Sequence, residues 1–88
     1  MNYKVDEKLF ELQMACKRYS VTDPLADWVL FAISRYIDTG RATTAFLKAF
    51  LRFPNDRLQE LIRKSLNGDR SDDGIMKTVK RVIREDQE

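Results

Sequence analysis

Pro24-Leu25-Ala26-Asp27-Trp28-Val29-Leu30-Phe31-Ala32-Ile33-Ser34-Arg35-Tyr36-Ile37-Asp38-Thr39-Gly40 is the stretch on which the fold turns. Its apolar core, Trp28 to Ile33, has no alternation of period two, which argues against a half-buried strand. Asp23 is placed to cap a helix, and Pro24 suits the first helical position, where a missing N–H costs nothing. Only Asp27, Ser34, Arg35 and Asp38 supply an outer strip, so the segment reads as a central helix touched by several neighbours. Gly40 reads as its left-handed cap. The apolar run is far shorter than the ~20 residues that cross a bilayer.

Outward from this helix, the same period recurs on both sides. Upstream, Val5, Leu9, Leu12, Cys16 and Tyr19 follow spacings of 4, 3, 4 and 3, one face of a helix from about Asp6 to Tyr19. Lys8, Glu11, Lys17 and Arg18 fall away from the centre of that face, and Cys16 reads as a buried structural thiol. Downstream, Phe46, Leu47, Phe50, Leu51 and Phe53 give a third helix from near Thr43. It should stop at Arg52 or Phe53, because the residue before Pro54 disfavours the helical region. Asn55 or Asp56 is placed to cap a fourth helix through Leu66, with Leu58, Leu61, Ile62 and Leu66 inward and Asn67-Gly68 closing it. Ser71-Asp72-Asp73 opens a fifth, whose acids suit the positive helix end and whose apolar face is Ile75, Met76, Val79, Val82 and Ile83. The expectation is an all-α, compact five-helix single domain over residues 1–88, orthogonal or bundle-like, with no internal repeat.

Composition narrows the chemistry. The 88 residues hold 16 basic and 14 acidic side chains, a net charge of +2, too balanced for a nucleic-acid arm or a polybasic membrane anchor. There is no histidine and one cysteine, Cys16. That leaves no Ser-His-Asp triad, Cys-His dyad or disulfide framework, and no zinc site. Asp27 and Asp38 lie three helical turns apart, and Asp72 and Asp73 read as helix-start acids, so no carboxylate pair is set for acid–base work. A non-enzymatic protein without metal or cofactor is expected. The start of the chain has no basic-then-apolar layout, and with a single thiol the setting reads as cytoplasmic, without membrane association.

Three sets of residues could bind something. Gly40-Arg41-Ala42-Thr43-Thr44 leads into a helix N-terminus, where free N–H groups attract anions. There Arg41, Thr43 and Thr44, with Tyr36 stacking, could hold a small anionic nucleotide; the plainer reading is a glycine C-cap followed by a threonine N-cap. Lys77, Lys80, Arg81 and Arg84 project to one side of the last helix, opposite Ile75, Val79 and Val82. They form either a phosphate-binding face or the solvated side of an amphipathic helix. A helix-turn-helix reading of Ile33 to Leu51 fails because Tyr36 stands where that motif wants a small residue, so nucleic acid ranks last among partners. Finally, the aromatic set exceeds what so small a core can hide, and Tyr3, Phe10, Tyr19 and Phe53 are expected as exposed contacts. A homo-oligomer, a dimer first of all, follows from that surplus. The heptad-like spacing of the first helix is either part of such a seam or packs within the chain.

Arg35-Tyr36-Ile37-Asp38-Thr39-Gly40, then Phe46-Leu47-Lys48-Ala49-Phe50-Leu51, then Asn55-Asp56-Arg57-Leu58, form a pattern over about residues 28–61. It resembles a group of small uncharacterised helical proteins encoded by phages and prophages. Those read aromatic, three residues, Gly, five residues, Phe-Leu, one residue, Ala, one residue, Leu, and then Asn-Asp. This chain departs from them at Arg41-Ala42-Thr43-Thr44, where the group often has prolines and a glycine, and in two extra residues before Asn55. The shared residues are structural, so no functional residue is carried over. The resemblance implies a phage-type accessory protein that binds and inhibits a host protein, in defence or host takeover. An oligomeric pocket protein that sequesters a phosphorylated nucleotide is the alternative, and a nucleic-acid-binding regulator the second.

Overall fold

Five α-helices follow one another as the apolar spacing predicts: α1 (Tyr3–Arg18), α2 (Ala26–Asp38), α3 (Thr44–Arg52), α4 (Leu58–Leu66) and α5 (Asp72–Gln87). A single 3-10 turn, Asn55–Arg57, precedes α4, and no strand occurs among the described residues. This is a computed structural model, and it describes residues 3–18 and 26–87. Asp23 and Pro24, expected to start the second helix, lie outside them. The fold is all-α.

The helix ends follow local chemistry. Gly40 takes φ 76°, the left-handed region in which a Cβ is disfavoured. The Gly40 N–H donates to the Ile37 carbonyl at 3.1 Å and the Arg41 N–H to the Tyr36 carbonyl at 3.3 Å. These two bonds are the Schellman pattern, which satisfies carbonyls left open at the end of α2. Thr43 caps α3, its hydroxyl accepting from the Phe46 N–H at 3.1 Å. Ser71 does the same for α5, accepting from the Gly74 N–H at 3.1 Å. The fourth helix starts differently from expectation. Asn55 and Asp56 sit in the 3-10 turn and give no side-chain cap to α4. Asn55 is committed elsewhere, because its Oδ1 accepts from Lys8 Nζ at 2.8 Å.

The core is built from all five helices. Leu12, Val29, Ile33, Phe50, Leu58, Leu61, Ile75 and Val79 are fully buried. Burial of each such side chain contributes about 1.5–3 kcal/mol. The whole predicted inner face of α5, and that of α4, is buried. On α1, Val5, Leu12 and Cys16 are buried and Leu9 is packed against the core, so these four positions of the heptad-like stripe pack within the chain; Tyr19, the fifth, lies outside the described residues. Burial raises the Cys16 thiol pKa, and the Asp27 charge adds to the effect.

Three expectations are corrected here. Lys8 is not on the outer side of α1: it is 7% exposed. Its ammonium is held by the Phe53 carbonyl and by Asn55, which compensates its burial. Phe53 is not an exposed contact but 1% exposed. It ends α3 beneath Arg57, whose guanidinium lies 6.0 Å from its ring centroid. Nor is the outer side of α2 confined to Asp27, Ser34, Arg35 and Asp38, although the helix has the several neighbours expected of it. It packs against α1, α4 and α5, burying Ala26, Val29, Leu30, Ala32 and Ile33. Its remaining flank leaves Trp28 and Phe31 exposed.

Candidate functional site

The Schellman pattern at Gly40 sets two of the candidate residues. It brings the residue after the glycine, Arg41, over Tyr36, the helical residue whose carbonyl it bonds. The Arg41 guanidinium carbon stands 5.6 Å from the Tyr36 ring centroid. This contact stands where the motif ordinarily carries an apolar one. Tyr36 is fixed from below by an edge-on contact with Phe46, with centroids 5.3 Å apart, and Phe46 in turn stacks on Phe50 at 6.0 Å. Lys80, from the basic side of α5, also reaches this ring, with its Nζ 5.2 Å from the centroid. Two sets read separately in the sequence, the loop and the basic face, therefore meet at Tyr36.

A cavity of about 200 Å³ lies here, lined by Arg35, Tyr36, Thr39 and Arg41 and also by Asp72 and Asp73. Arg35 grips Asp72 with both Nε and Nη2, at 2.8 and 2.7 Å. This fork raises the Arg35 pKa and lowers that of the Asp72 carboxyl. Arg41 pairs with Asp73 at 3.3 Å. An anion entering the cavity would meet two carboxylates as well as two guanidinium groups. Thr43 is occupied as the α3 cap, and Thr44 is the exposed first residue of that helix. Of the α5 set, Lys77, Lys80, Arg81 and Arg84 are all exposed, and Arg81 lies 3.9 Å from Glu85.

A different surface carries the aromatic surplus. Tyr3, Phe10, Met14, Trp28 and Phe31 are the large hydrophobic residues left exposed among the described residues, and all five stand on α1 and α2. Tyr3, Phe10 and Met14 are separated by seven and four residues and so share one face of α1. Tyr3 and Phe10 were expected to be exposed; Tyr19 lies outside the described residues. Between the helices runs a groove of about 310 Å³, lined by Asp6, Leu9, Phe10 and Gln13 from α1 and by Asp27, Leu30, Phe31 and Ser34 from α2.

The two quartets match. Asp6-x-x-Leu9-Phe10-x-x-Gln13 and Asp27-x-x-Leu30-Phe31-x-x-Ser34 have one spacing and differ only in the final polar residue. Residues at i, i+3, i+4 and i+7 share a helix face, so each helix turns the same chemistry toward the groove. The Asp27 charge acts on Cys16, in the last turn of α1. α1 and α2 pack together and are only seven residues apart in the chain, which favours an antiparallel pair with the two carboxylates toward opposite ends of the groove. No ion pair among the described residues engages either of them. Sequence reasoning found no repeat here. The signal was present as a doubled Asp-x-x-Leu-Phe, but it acquires meaning only once α1 and α2 are neighbours.

Among the described residues no group of histidine, cysteine and acidic side chains could hold a metal ion, and no helix is long and apolar enough to cross a membrane. No protein-family model matches the chain, nor does any curated protein or solved structure.

Proposed function

We propose that this chain is a non-enzymatic binding protein that docks a partner protein on its α1–α2 face. The observation behind this reading is that, among the described residues, the exposed large hydrophobic side chains stand on those two helices, and two of them, Phe10 and Phe31, line the groove between them. Exposed apolar side chains gathered on one face, rimmed by polar groups, are the mark of an interaction surface. Taken with the resemblance to small phage-encoded proteins, the partner is a host protein and the outcome its inhibition, in the cytoplasm of the host cell.

The test is an affinity capture from host lysate by the wild-type chain and by a Phe10→Ser/Phe31→Ser variant, analysed for proteins and for small metabolites. Proteins retained by the wild type and lost by the variant support the reading. An identical set from both would overturn it.

The nucleotide-sequestering reading stands second. It is favoured by the convergence of Arg41 and Lys80 on the Tyr36 ring, and opposed by Asp72 and Asp73 in the same cavity. A phosphorylated metabolite recovered with the wild type and absent with an Arg41→Ala variant would promote it. Nucleic-acid binding through Lys77, Lys80, Arg81 and Arg84 ranks third, and a steep loss of affinity with salt would identify it.

A further inference from the structure

We infer that the α1–α2 groove accepts a short amphipathic helix of a partner protein that carries two adjacent large apolar residues with a lysine or arginine three residues to either side. The inference rests on the binding reading above and adds the chemistry of the partner. Phe10 and Phe31 line the groove, one from each helix, and Asp6 and Asp27 line it with them, each four residues, about one turn, before its phenylalanine. No lysine or arginine lines it. An occupant that seats apolar groups between two free carboxylates is matched by positive charge at both of its own ends. Each quartet spans eight residues of helix, seven rises of about 1.5 Å, or about 10 Å along the axis. A partner helix covers that length with residues spaced i, i+3, i+4 and i+7, the spacing of the two walls themselves.

A second copy of this chain fits the groove less well. Joined face to face, two copies would bring four carboxylates to one apolar contact, and like charges across an interface oppose association. The end residues Gln13 and Ser34 offer neutral hydrogen-bonding groups beside the carboxylates and leave the acidic character of both ends intact.

The experiment is isothermal titration of the full chain with two alanine-based helical peptides of equal length. One contains Lys-x-x-Leu-Leu-x-x-Lys and the other Glu-x-x-Leu-Leu-x-x-Glu. The lysine peptide should bind at least about tenfold more tightly than the glutamate peptide, a difference that shrinks as salt screens the charges. Asp6→Asn and Asp27→Asn should each weaken the lysine peptide several-fold, with circular dichroism unchanged. Phe31→Ser should weaken both peptides. If the two peptides bind alike, the carboxylates select nothing and the inference falls, while apolar docking on this face survives. If neither binds but capture from lysate still depends on Phe10 and Phe31, the inference falls alone. If that capture is indifferent to Phe10 and Phe31, the binding reading falls with it.

Discussion

Lys8, on α1, donates to the carbonyl of Phe53, the residue that ends α3, 45 positions further along the chain. The same ammonium donates to Asn55 Oδ1. One buried side chain thus satisfies an open helix end and ties the chain's first helix to the turn before its fourth. Burial lowers the Lys8 pKa, an effect that Glu11 opposes.

Lys8→Met keeps the aliphatic stem and removes the donor. The buried Phe53 carbonyl and the half-buried Asn55 would then be left without that partner. An abandoned buried polar group costs about 1–3 kcal/mol, so the urea midpoint should fall by that equivalent. A midpoint equal to that of the wild type would mean that water replaces the ammonium.

Ser65 presents the opposite case. It is 1% exposed on α4, and its hydroxyl has no hydrogen-bond partner among the described residues. Ser65→Ala deletes a desolvated hydroxyl in a helix and adds a better helix former. The variant should be as stable as the wild type or more so, by up to about 1 kcal/mol in chemical denaturation. A clear loss would show that the hydroxyl does bond in solution.

How far the sequence revealed this molecule depends on the range of each interaction. Ile75, Met76, Val79, Val82 and Ile83 were legible as an inner face because helical period is a local property, and all five are buried. Gly40 and Thr43 were legible because caps are set by neighbours in the chain. Lys8 was not, since nothing near it announces an acceptor 45 residues away. The exposure of Trp28 and Phe31 was not legible, because the flank α2 leaves open depends on which helices pack against it. The doubled quartet was on display in the sequence, but two equal spacings form one site only when their helices lie side by side.

Gly40 and Gly74 should respond differently to alanine. At Gly40 a Cβ meets no atom within 4 Å, and the cost is the left-handed backbone alone, about 1 kcal/mol. At Gly74 a Cβ would lie 2.5 Å from Asp69 Cγ and 2.6 Å from the Asp69 carbonyl oxygen. Asp69 also accepts from the Ser71 N–H, so the turn into α5 would have to move. Gly74→Ala should therefore cost more than Gly40→Ala in thermal unfolding, while Arg41→Ala, which breaks an exposed ion pair, should leave the midpoint where it is. The reverse order for the two glycines would contradict the packing around Asp69.

Acid should unfold the protein through a small set of carboxyls. Arg57 and Lys64 both donate to Glu60 and hold its carboxyl at about 2, against an ordinary 4.5. Arg35 lowers Asp72, and the Ser71 N–H lowers Asp69. Between the folded and unfolded values the unfolded chain binds more protons, so stability rises with pH in that window. The contribution of these groups is fully present above the ordinary carboxylate range and is lost as pH falls toward about 2. Glu60→Gln should lower stability at neutral pH and flatten the acid limb of a circular-dichroism titration. An acid limb unchanged in the variant would mean that other groups drive the transition.

Self-association through the α1–α2 face should depend on salt in the sense opposite to that of a cationic partner. Tyr3, Phe10 and Phe31 supply an apolar contact for a second copy, while Asp6 and Asp27 on each copy repel. Screening shortens the reach of that repulsion from about 10 Å at 0.1 M salt to about 3 Å at 1 M, and it leaves the apolar attraction intact. Light scattering at high micromolar concentration should therefore report a mass that rises above 10.4 kDa as salt is added. Phe10→Ser should hold the chain at the monomer mass. Asp6→Asn/Asp27→Asn should bring the dimer forward to low salt, because it removes the four carboxylates that oppose it. A mass that stays at the monomer value at every concentration and salt would dispose of the homo-oligomer and leave this face to a partner of different sequence.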